Sequence, residues 1–373
     1  MKVFAIVVLL VAVLAGVYLL THRDEVSAWH AQAQYKHAEA AFSEGTDLQK
    51  AAEGYESFAA ALPDDERAPG ALANAAECYG RLNSPAERDR VWALLLGRYP
   101  ASSEAVAVKA RRVEGLAAGG RLDEAVTLGG ELLQLSPELV GSTAPLALGR
   151  ALAERGDLKG AKPYLLYALS AAAGDAEAAK PIKELLGNVN LSLIFSPAPT
   201  EGSITYTVAG GDTLVGIALA NGTTVAQIKR SNGLKDNILH PGQRLKVLTP
   251  TYEIHISLGN HTLTLSMNGE FLKEYPVGVG KFESTPMGEY TIVDKVENPT
   301  WYSKDGVFPF GDPRNVLGTR WMSLNMPSYG IHGTSDDASI GQSSSAGCVR
   351  MHNSDVEELY DLVTKGTKVY IEP

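Results

Sequence analysis

Two side chains near the C-terminus have the types and setting for covalent chemistry. His332 lies in the run Tyr329, Gly330, Ile331, His332, Gly333, Thr334, and Cys348 follows sixteen positions later in Ser345, Ala346, Gly347, Cys348, Val349, Arg350. A thiol needs a nearby base to become a thiolate at neutral pH, and the thiolate is the form that attacks a carbonyl. The pattern therefore reads as acyl transfer. Cys348 is the candidate nucleophile, and His332 the base that activates it and then the acid that protonates the leaving amine. Gly347 leaves room at the backbone, and the N–H groups around Gly347 and Cys348 are candidates for an oxyanion hole. Arg350 either lowers the thiol pKa by proximity or binds a substrate carboxylate. Residue 333 brings no side chain, so a backbone carbonyl is expected to orient the His332 ring.

Two competing readings apply to the same residues. A lone cysteine is often a small buried hydrophobe, which suits Cys78 in its alanine-rich surroundings but not the glycine-flanked Cys348. His332, Cys348 and His352 also have the types of zinc ligands. Against zinc, the C-terminal region holds no second cysteine and no His-Glu helix pair. No metal and no cofactor are expected.

The remaining chain must deliver this pair. With 373 residues, 45% hydrophobic and 20% charged, it is folded protein of two to four domains. A net charge of −10 argues against nucleic acid as a partner. Two cysteines exclude a disulfide framework. An unbroken apolar run from Val3 to Leu20 follows Lys2. At about 1.5 Å per residue it nearly crosses a hydrocarbon core of about 30 Å, and it exceeds the usual length of a signal-peptide core. Residues 1–25 are read as a membrane anchor, with cleavage near Ala15 as the alternative.

Residues 26–188 are rich in Ala, Leu, Glu and Arg at three- and four-residue spacing, the pattern of amphipathic helices. Pro63, Pro100 and Pro137 recur every 37 positions, each expected to close a helix, with glycine turns at Gly80, Gly119, Gly120 and Gly156 between them. Such a period marks a helix–turn–helix solenoid, and the region resembles degenerate tetratricopeptide repeats. It is either a groove for an envelope protein or a spacer. A Ser/Pro-rich linker is expected over 189–203.

Residues 204–249 read as strand–helix–helix–strand, with Asp212 or Thr213 capping the first helix and Asn232-Gly233 ending the second. Carrying Gly211-Asp212-Thr213-Leu214 and Pro241-Gly242-Gln243-Arg244-Leu245, the segment closely resembles a lysin-motif (LysM) module. The resemblance implies binding to N-acetylglucosamine-containing glycans such as peptidoglycan. The implied contacts fall on Gly211, Asp212, Thr213, Ile238, Leu239 and His240.

Residues 250–373 switch to alternating strands, with a hairpin signal at Asn268-Gly269. A long irregular stretch spans Glu297 to Arg320, one helix covers Asp355 to Val363, and Lys368 to Ile371 is a closing strand. His332-Gly333-Thr334 followed by Ser345-x-Gly347-Cys348-Val349-Arg350 resembles the signature of the L,D-transpeptidase catalytic domain (the YkuD type). The second histidine that many members carry falls on Ala346 here, so His332 alone is left as base. The resemblance implies attack by Cys348 on the third residue of a peptidoglycan stem tetrapeptide, release of the terminal D-alanine, and transfer to a neighbouring stem amine. Water as acceptor would give L,D-carboxypeptidase activity, and a protein lysine would give wall attachment. Tyr329, Gly333, Ser345 and Trp301 are candidate substrate contacts, and acylation of Cys348 by carbapenems is implied. A wall-binding scaffold without catalysis is the alternative from another class. The overall expectation is a multidomain envelope protein acting outside the cytoplasm: an all-α helical-repeat region, a small βααβ LysM module and a β-dominated catalytic domain.

Overall fold

The computed structural model describes residues 23–135, 137–281 and 284–373. The expected apolar anchor lies outside the described residues, and no described helix is long and apolar enough to cross a membrane. The chain forms two compact units, one ending at Leu148 and the other running from Gly149 to Pro373.

The first unit is all-helical: α1 (Arg23–Glu44), α2 (Leu48–Ala61), α3 (Ala68–Arg81), α4 (Pro85–Arg98), α5 (Ser103–Ala118), α6 (Leu122–Leu132), the short α7 (Pro137–Val140) and the start of α8 (Thr143–Glu154). Helices α1 to α4 each pack on the next, and α3 also packs on α5, the neighbour-to-neighbour contact of stacked helix pairs. Alanines at 51, 52, 59, 68, 71, 75 and 76 let these helices approach closely, and the buried Tyr55, Phe58 and Leu72 fill the space between them. Two turn expectations need correction. Gly80 lies inside α3, and Asn83 takes the left-handed turn position instead, with φ 53°. Pro137 opens α7 rather than closing a helix, because proline at a helix start lacks only an N–H that would be unpaired there anyway.

In the second unit, α9 (Leu158–Ala171) and α10 (Ala176–Phe195) form a helical hairpin. The stretch expected as linker is helical through Phe195 because Leu191 and Ile194 are buried in the core of the β domain that follows. Asn190 donates from Nδ2 to the carbonyls of Phe271 and Leu272, both at 3.1 Å, on the edge strand β5 (Glu270–Pro276). A helix laid along an exposed strand edge removes a site for unwanted pairing.

The small βααβ module follows as β1 (Ser203–Thr207), α11 (Leu214–Ala220), α12 (Val225–Asn232) and β2 (Arg244–Leu248), with β1 and β2 antiparallel. Thr213 caps α11 through the Gly216 N–H at 3.0 Å, Thr224 caps α12, and Gly233 closes it at φ 62°. Val208, Leu214, Ile217, Ile228, Leu245 and Val247 make its core.

The C-terminal β domain carries an eight-stranded sheet. Its spatial order is β13 (Val349–Arg350), β11 (Gly330–His332), β10 (Arg320–Leu324), β7 (Gly288–Glu297), β14 (Lys368–Glu372), β3 (Tyr252–Ser257), β4 (Thr262–Met267) and β5. Asn268 and Gly269 turn β4 into β5 with φ 55° and 83°, the two positive values that a tight primed hairpin turn requires. The sheet curls until its ends meet. Gly278, just past β5, exchanges two backbone hydrogen bonds with Arg350 of β13 at 2.9 and 2.8 Å. Helix α13 (Asn353–Leu362) places Val356, Leu359 and Leu362 into the core. The expected irregular stretch contains a two-stranded hairpin of its own, β8 (Trp301–Ser303) with β9 (Gly306–Phe308).

Helix α10 thus completes the β domain rather than merely preceding it. Ile194→Ala is expected to cost about 2–5 kcal/mol, the range for deleting a buried aliphatic side chain. A fragment starting at residue 200 is expected to melt earlier and aggregate more than one starting at residue 157. Equal melting temperatures by calorimetry would contradict this.

Candidate active site

The parallel pairing of β11 with β13 matches Ile331 to Val349 and His332 to Arg350. Partners across a parallel ladder share a face, and faces alternate along each strand. His332 and Arg350 therefore lie on one face. Continuing the register one step back sets Cys348 beside Gly330 on that same face. Gly330 needs its missing side chain: a Cβ there would sit 2.6 Å from the Met322 carbonyl oxygen and 2.8 Å from the Trp321 ring.

Cys348 is half-buried, and its thiol donates to the Ser328 carbonyl at 3.5 Å. Ser328 holds φ 68°, an uncommon value for a residue with a side chain. Burial pushes the thiol pKa up, while the Gly330 N–H and the Arg350 charge pull the other way. The turn before Cys348 is closed by Ser345, which donates to the Cys348 carbonyl at 2.7 Å and accepts from the Gly347 N–H at 3.0 Å. Ser345 is buried and holds this turn. The Gly347 N–H is occupied by its hydroxyl in the resting structure. Gly347 itself is required at φ 134°, where an added Cβ would sit 2.6 Å from the Tyr329 ring and 2.8 Å from the Ser284 carbonyl oxygen.

His332 is 2% exposed, and burial lowers its pKa to about 4. The carbonyls of Gly333 and Leu317 oppose that fall, and the charge of Arg350 adds to it. Its Nδ1 lies 2.6 Å from the Gly333 carbonyl oxygen. A carbonyl can only accept, so Nδ1 carries the proton and Nε2 keeps its lone pair. The expected backbone orienter of this ring is therefore Gly333. The Trp321 ring lies 5.6 Å from the imidazole between centroids, at 31°.

Asn353 and Asn315 were not singled out as site residues by sequence reasoning. Asn353 accepts at Oδ1 from the N–H groups of Thr319 at 3.1 Å and Thr334 at 3.3 Å, and donates from Nδ2 to the Thr334 carbonyl at 2.8 Å. A Cβ at Gly333 or Gly318 would collide with this amide. Asn315, buried, donates to the carbonyls of Pro299 at 2.9 Å and Phe308 at 3.0 Å and accepts from the Leu317 N–H at 2.9 Å. The two asparagines fix the backbone on both sides of the imidazole. The available signal was an asparagine at a helix start, which reads as an ordinary cap.

Arg350 is half-buried, with its Nε enclosed and unpartnered. Tyr329 is half-buried with its ring beside Gly347. Trp301 packs on Phe308 at 5.3 Å within its hairpin. His352 pairs with Asp337 at 2.9 Å, and among the described residues no group of three or more His, Cys, Asp or Glu side chains could hold a metal. In the small module, Asp212 accepts from the Ala209 N–H at 2.7 Å and the Tyr206 hydroxyl at 2.9 Å, so it braces its loop while Thr213 makes the cap. Gly211 turns at φ 92°, Leu239 packs on the module core, and Ile238 and His240 are exposed.

Two consequences can be measured. Asn353→Ala should slow acylation of Cys348 about 10- to 100-fold with little change in fold, because His332 loses the support of its backbone; an unchanged rate would show that Gly333 needs no such clamp. The depressed His332 pKa means the native state binds fewer protons than the unfolded chain between pH 6.5 and about 4. Its contribution, on the order of 3 kcal/mol, is complete above the unfolded pKa and lost as pH falls through that window. Chemical denaturation of His332→Gln should show a flatter acid slope than the parent, and the acid limb of the parent's acylation rate should lie below pH 6.5.

The family model for the L,D-transpeptidase catalytic domain matches residues 251–371, and that for the LysM domain matches residues 206–248. The chain is 40% identical over 175 residues to "Putative L,D-transpeptidase YkuD" of Bacillus subtilis (strain 168), a match covering 45% of this chain and 98% of that one. It is 34% identical over 117 residues to "Probable L,D-transpeptidase YcfS" of Escherichia coli (strain K12), covering 26% and 36%. Among solved structures, an L,D-transpeptidase from Mycobacterium smegmatis aligns at 22% identity with TM-score 0.30, covering 35% of this chain and 64% of that chain. With nearly the whole Bacillus subtilis relative matched at that identity, the chain belongs to the YkuD-type L,D-transpeptidase family and carries a LysM domain ahead of the catalytic one.

Proposed function

We propose that the protein is a cysteine-dependent L,D-transpeptidase that cross-links peptidoglycan stem peptides outside the cytoplasm. The observation that carries this is the shared face of Cys348 and His332, with Nδ1 of the imidazole tied to the Gly333 carbonyl and Nε2 left as the base. The thiol first leaves the Ser328 carbonyl and gives its proton to Nε2. The thiolate then attacks the carbonyl of the third stem residue, and the developing oxyanion is met by the Cys348 N–H. Collapse of the tetrahedral intermediate expels the terminal D-alanine, whose nitrogen takes the proton back from His332. The side-chain amine of a second stem then attacks the thioester and passes a proton to His332; the C–S bond breaks, and the expelled thiolate takes that proton, which regenerates Cys348. Arg350 favours the thiolate by its charge.

The domain limits that fit this reading are 26–188 for the helical arm, 204–249 for glycan binding and 250–373 for catalysis. Helix α10 belongs structurally with the last of these. The helical arm is a degenerate tetratricopeptide-like array, in keeping with its stacked helix pairs. Glycan contact falls on the exposed Ile238 and His240 and on the Gly211 turn.

Incubation of the 157–373 fragment with disaccharide-tetrapeptides tests the reaction. Cross-linked dimers are expected, together with a carbapenem adduct in the intact mass, and both should vanish in Cys348→Ala. Tripeptide without dimers would assign water as the acceptor. Neither product and no adduct would leave a wall-binding scaffold.

A further inference from the structure

A cleft of about 500 Å³ opens in the second unit and shares no lining residue with the site around Cys348. Sites for small organic molecules span about 300–1,000 Å³ and are mostly apolar, with a few converging polar groups. This cleft has that make-up. Leu193 and Ile194 of α10, with Met267, Phe271 and Leu272 of the hairpin β4–β5, form an apolar floor. Ile194 and Leu272 are buried in the domain core, whereas Leu193, Met267 and Phe271 are half-buried. Apolar surface left in water is unfavourable in proportion to its area, and a ligand with an apolar body removes that cost. Asn190 also lines the cleft, and its two bonds to β5 fix the walls before a ligand arrives.

Charge is spread unevenly around this floor. At one end Lys162 of α9 lies 3.4 Å from Glu270, so the two balance. At the other end Lys159, also of α9, donates to the Pro199 carbonyl at 3.1 Å. Its charge is felt at the buried Lys246, whose ammonium is held by the carbonyls of Leu193, Ile194 and Ser196. Among the described residues neither Lys159 nor Lys246 has a carboxylate partner, although Glu201 lines the cleft from an exposed loop. Thr200, next to Pro199 in the same wall, keeps its Oγ1 enclosed with no hydrogen-bond partner. A polar group left unpaired in this way marks a place where a missing partner belongs.

We propose that this cleft is a second ligand site, separate from catalysis, for a small amphiphilic carboxylate. The head group sits between Lys159 and Thr200, and the apolar tail lies along Leu193, Met267 and Phe271. A carboxylate suits the head because it accepts from an ammonium and a hydroxyl together. A cationic head would add a like charge where Lys159 and Lys246 already share one end. A neutral head would leave both without a counter-charge.

The test uses the full chain and decanoate as the probe, below its micelle-forming concentration, with decanol and decylammonium as its neutral and cationic counterparts. Titration calorimetry should give saturable binding of one decanoate per chain, with both counterparts weaker by about tenfold or more. Lys159 is exposed, so Lys159→Glu should keep the unliganded melting temperature of the parent and lose about tenfold in decanoate affinity. Lys159→Arg should retain most of it. Leu193→Trp, which fills the floor, should abolish binding. Equal affinity for all three probes would overturn the inference, since the cleft would then be apolar surface without selection of a head group. The absence of decanoate binding would overturn it, and so would binding that Lys159→Glu and Leu193→Trp both leave intact. Sedimentation velocity on the unliganded chain supplies a further check. A dimer that Leu193→Trp breaks would assign the cleft to a second copy of the chain and overturn the proposal.

Discussion

The register between two very short parallel strands governs the rest of this site. Ile331 faces Val349 and His332 faces Arg350, and no further residues are paired. A slip of one residue would carry Cys348 to the face opposite His332. So short a ladder cannot hold its own register. It is held from outside, by β10 on one flank and by the two backbone bonds between Gly278 and Arg350 on the other. The curl of the sheet brings the end of β5 against β13 and locks the strand that follows Cys348 in place.

Burial then sets the electrostatics. Desolvation raises the thiol pKa and lowers that of the imidazole, so the resting pair is neutral on both members. An ion pair formed by proton transfer would be strongly felt in such a medium. The groups that favour it are already aimed: the Gly330 N–H and Arg350 charge at the sulfur, and the Gly333 and Leu317 carbonyls at the ring. The thiol rests on the Ser328 carbonyl at 3.5 Å. Fixed backbone dipoles thus supply much of the polar environment of this pair.

The surroundings repeat one device, a lysine reaching in from a strand to close the carbonyl end of a helix, with Lys246 buried and Lys295 half-buried. Lys246 does so for α10, and Lys295 does so for α13 through the carbonyls of Tyr360 at 2.6 Å and Val363 at 2.5 Å. Burial lowers both lysine pKa values to about 8. The terminal carbonyls of a helix carry partial negative charge and lack intrahelical partners, so a cation there satisfies several acceptors at once. Both lysines reach across from strands, and each ties a helix end to a sheet.

Sequence alone determined what depends on near neighbours. The capping hydroxyls of Thr213 and Thr224, the primed turn at Asn268 and Gly269, and the alternation of Ile254, Ile256, Leu263 and Leu265 are all local patterns. Such patterns act through the next few residues and leave their mark in spacing. The tertiary structure decided whatever rests on contacts between distant residues. Helix α10 runs seven residues past its expected end at 188 because Asn190 finds carbonyls 81 and 82 positions away and Leu191 and Ile194 find the β core. Asn353 becomes a clamp instead of a cap because Thr319 and Thr334 are folded against it. Ser345 and the Gly347 N–H bond to each other, a choice set by the buried, positive-φ turn that the Tyr329 ring and the Ser284 carbonyl enclose. A side chain's type says which bonds it can make. Which of them it does make depends on partners that only the closed fold supplies.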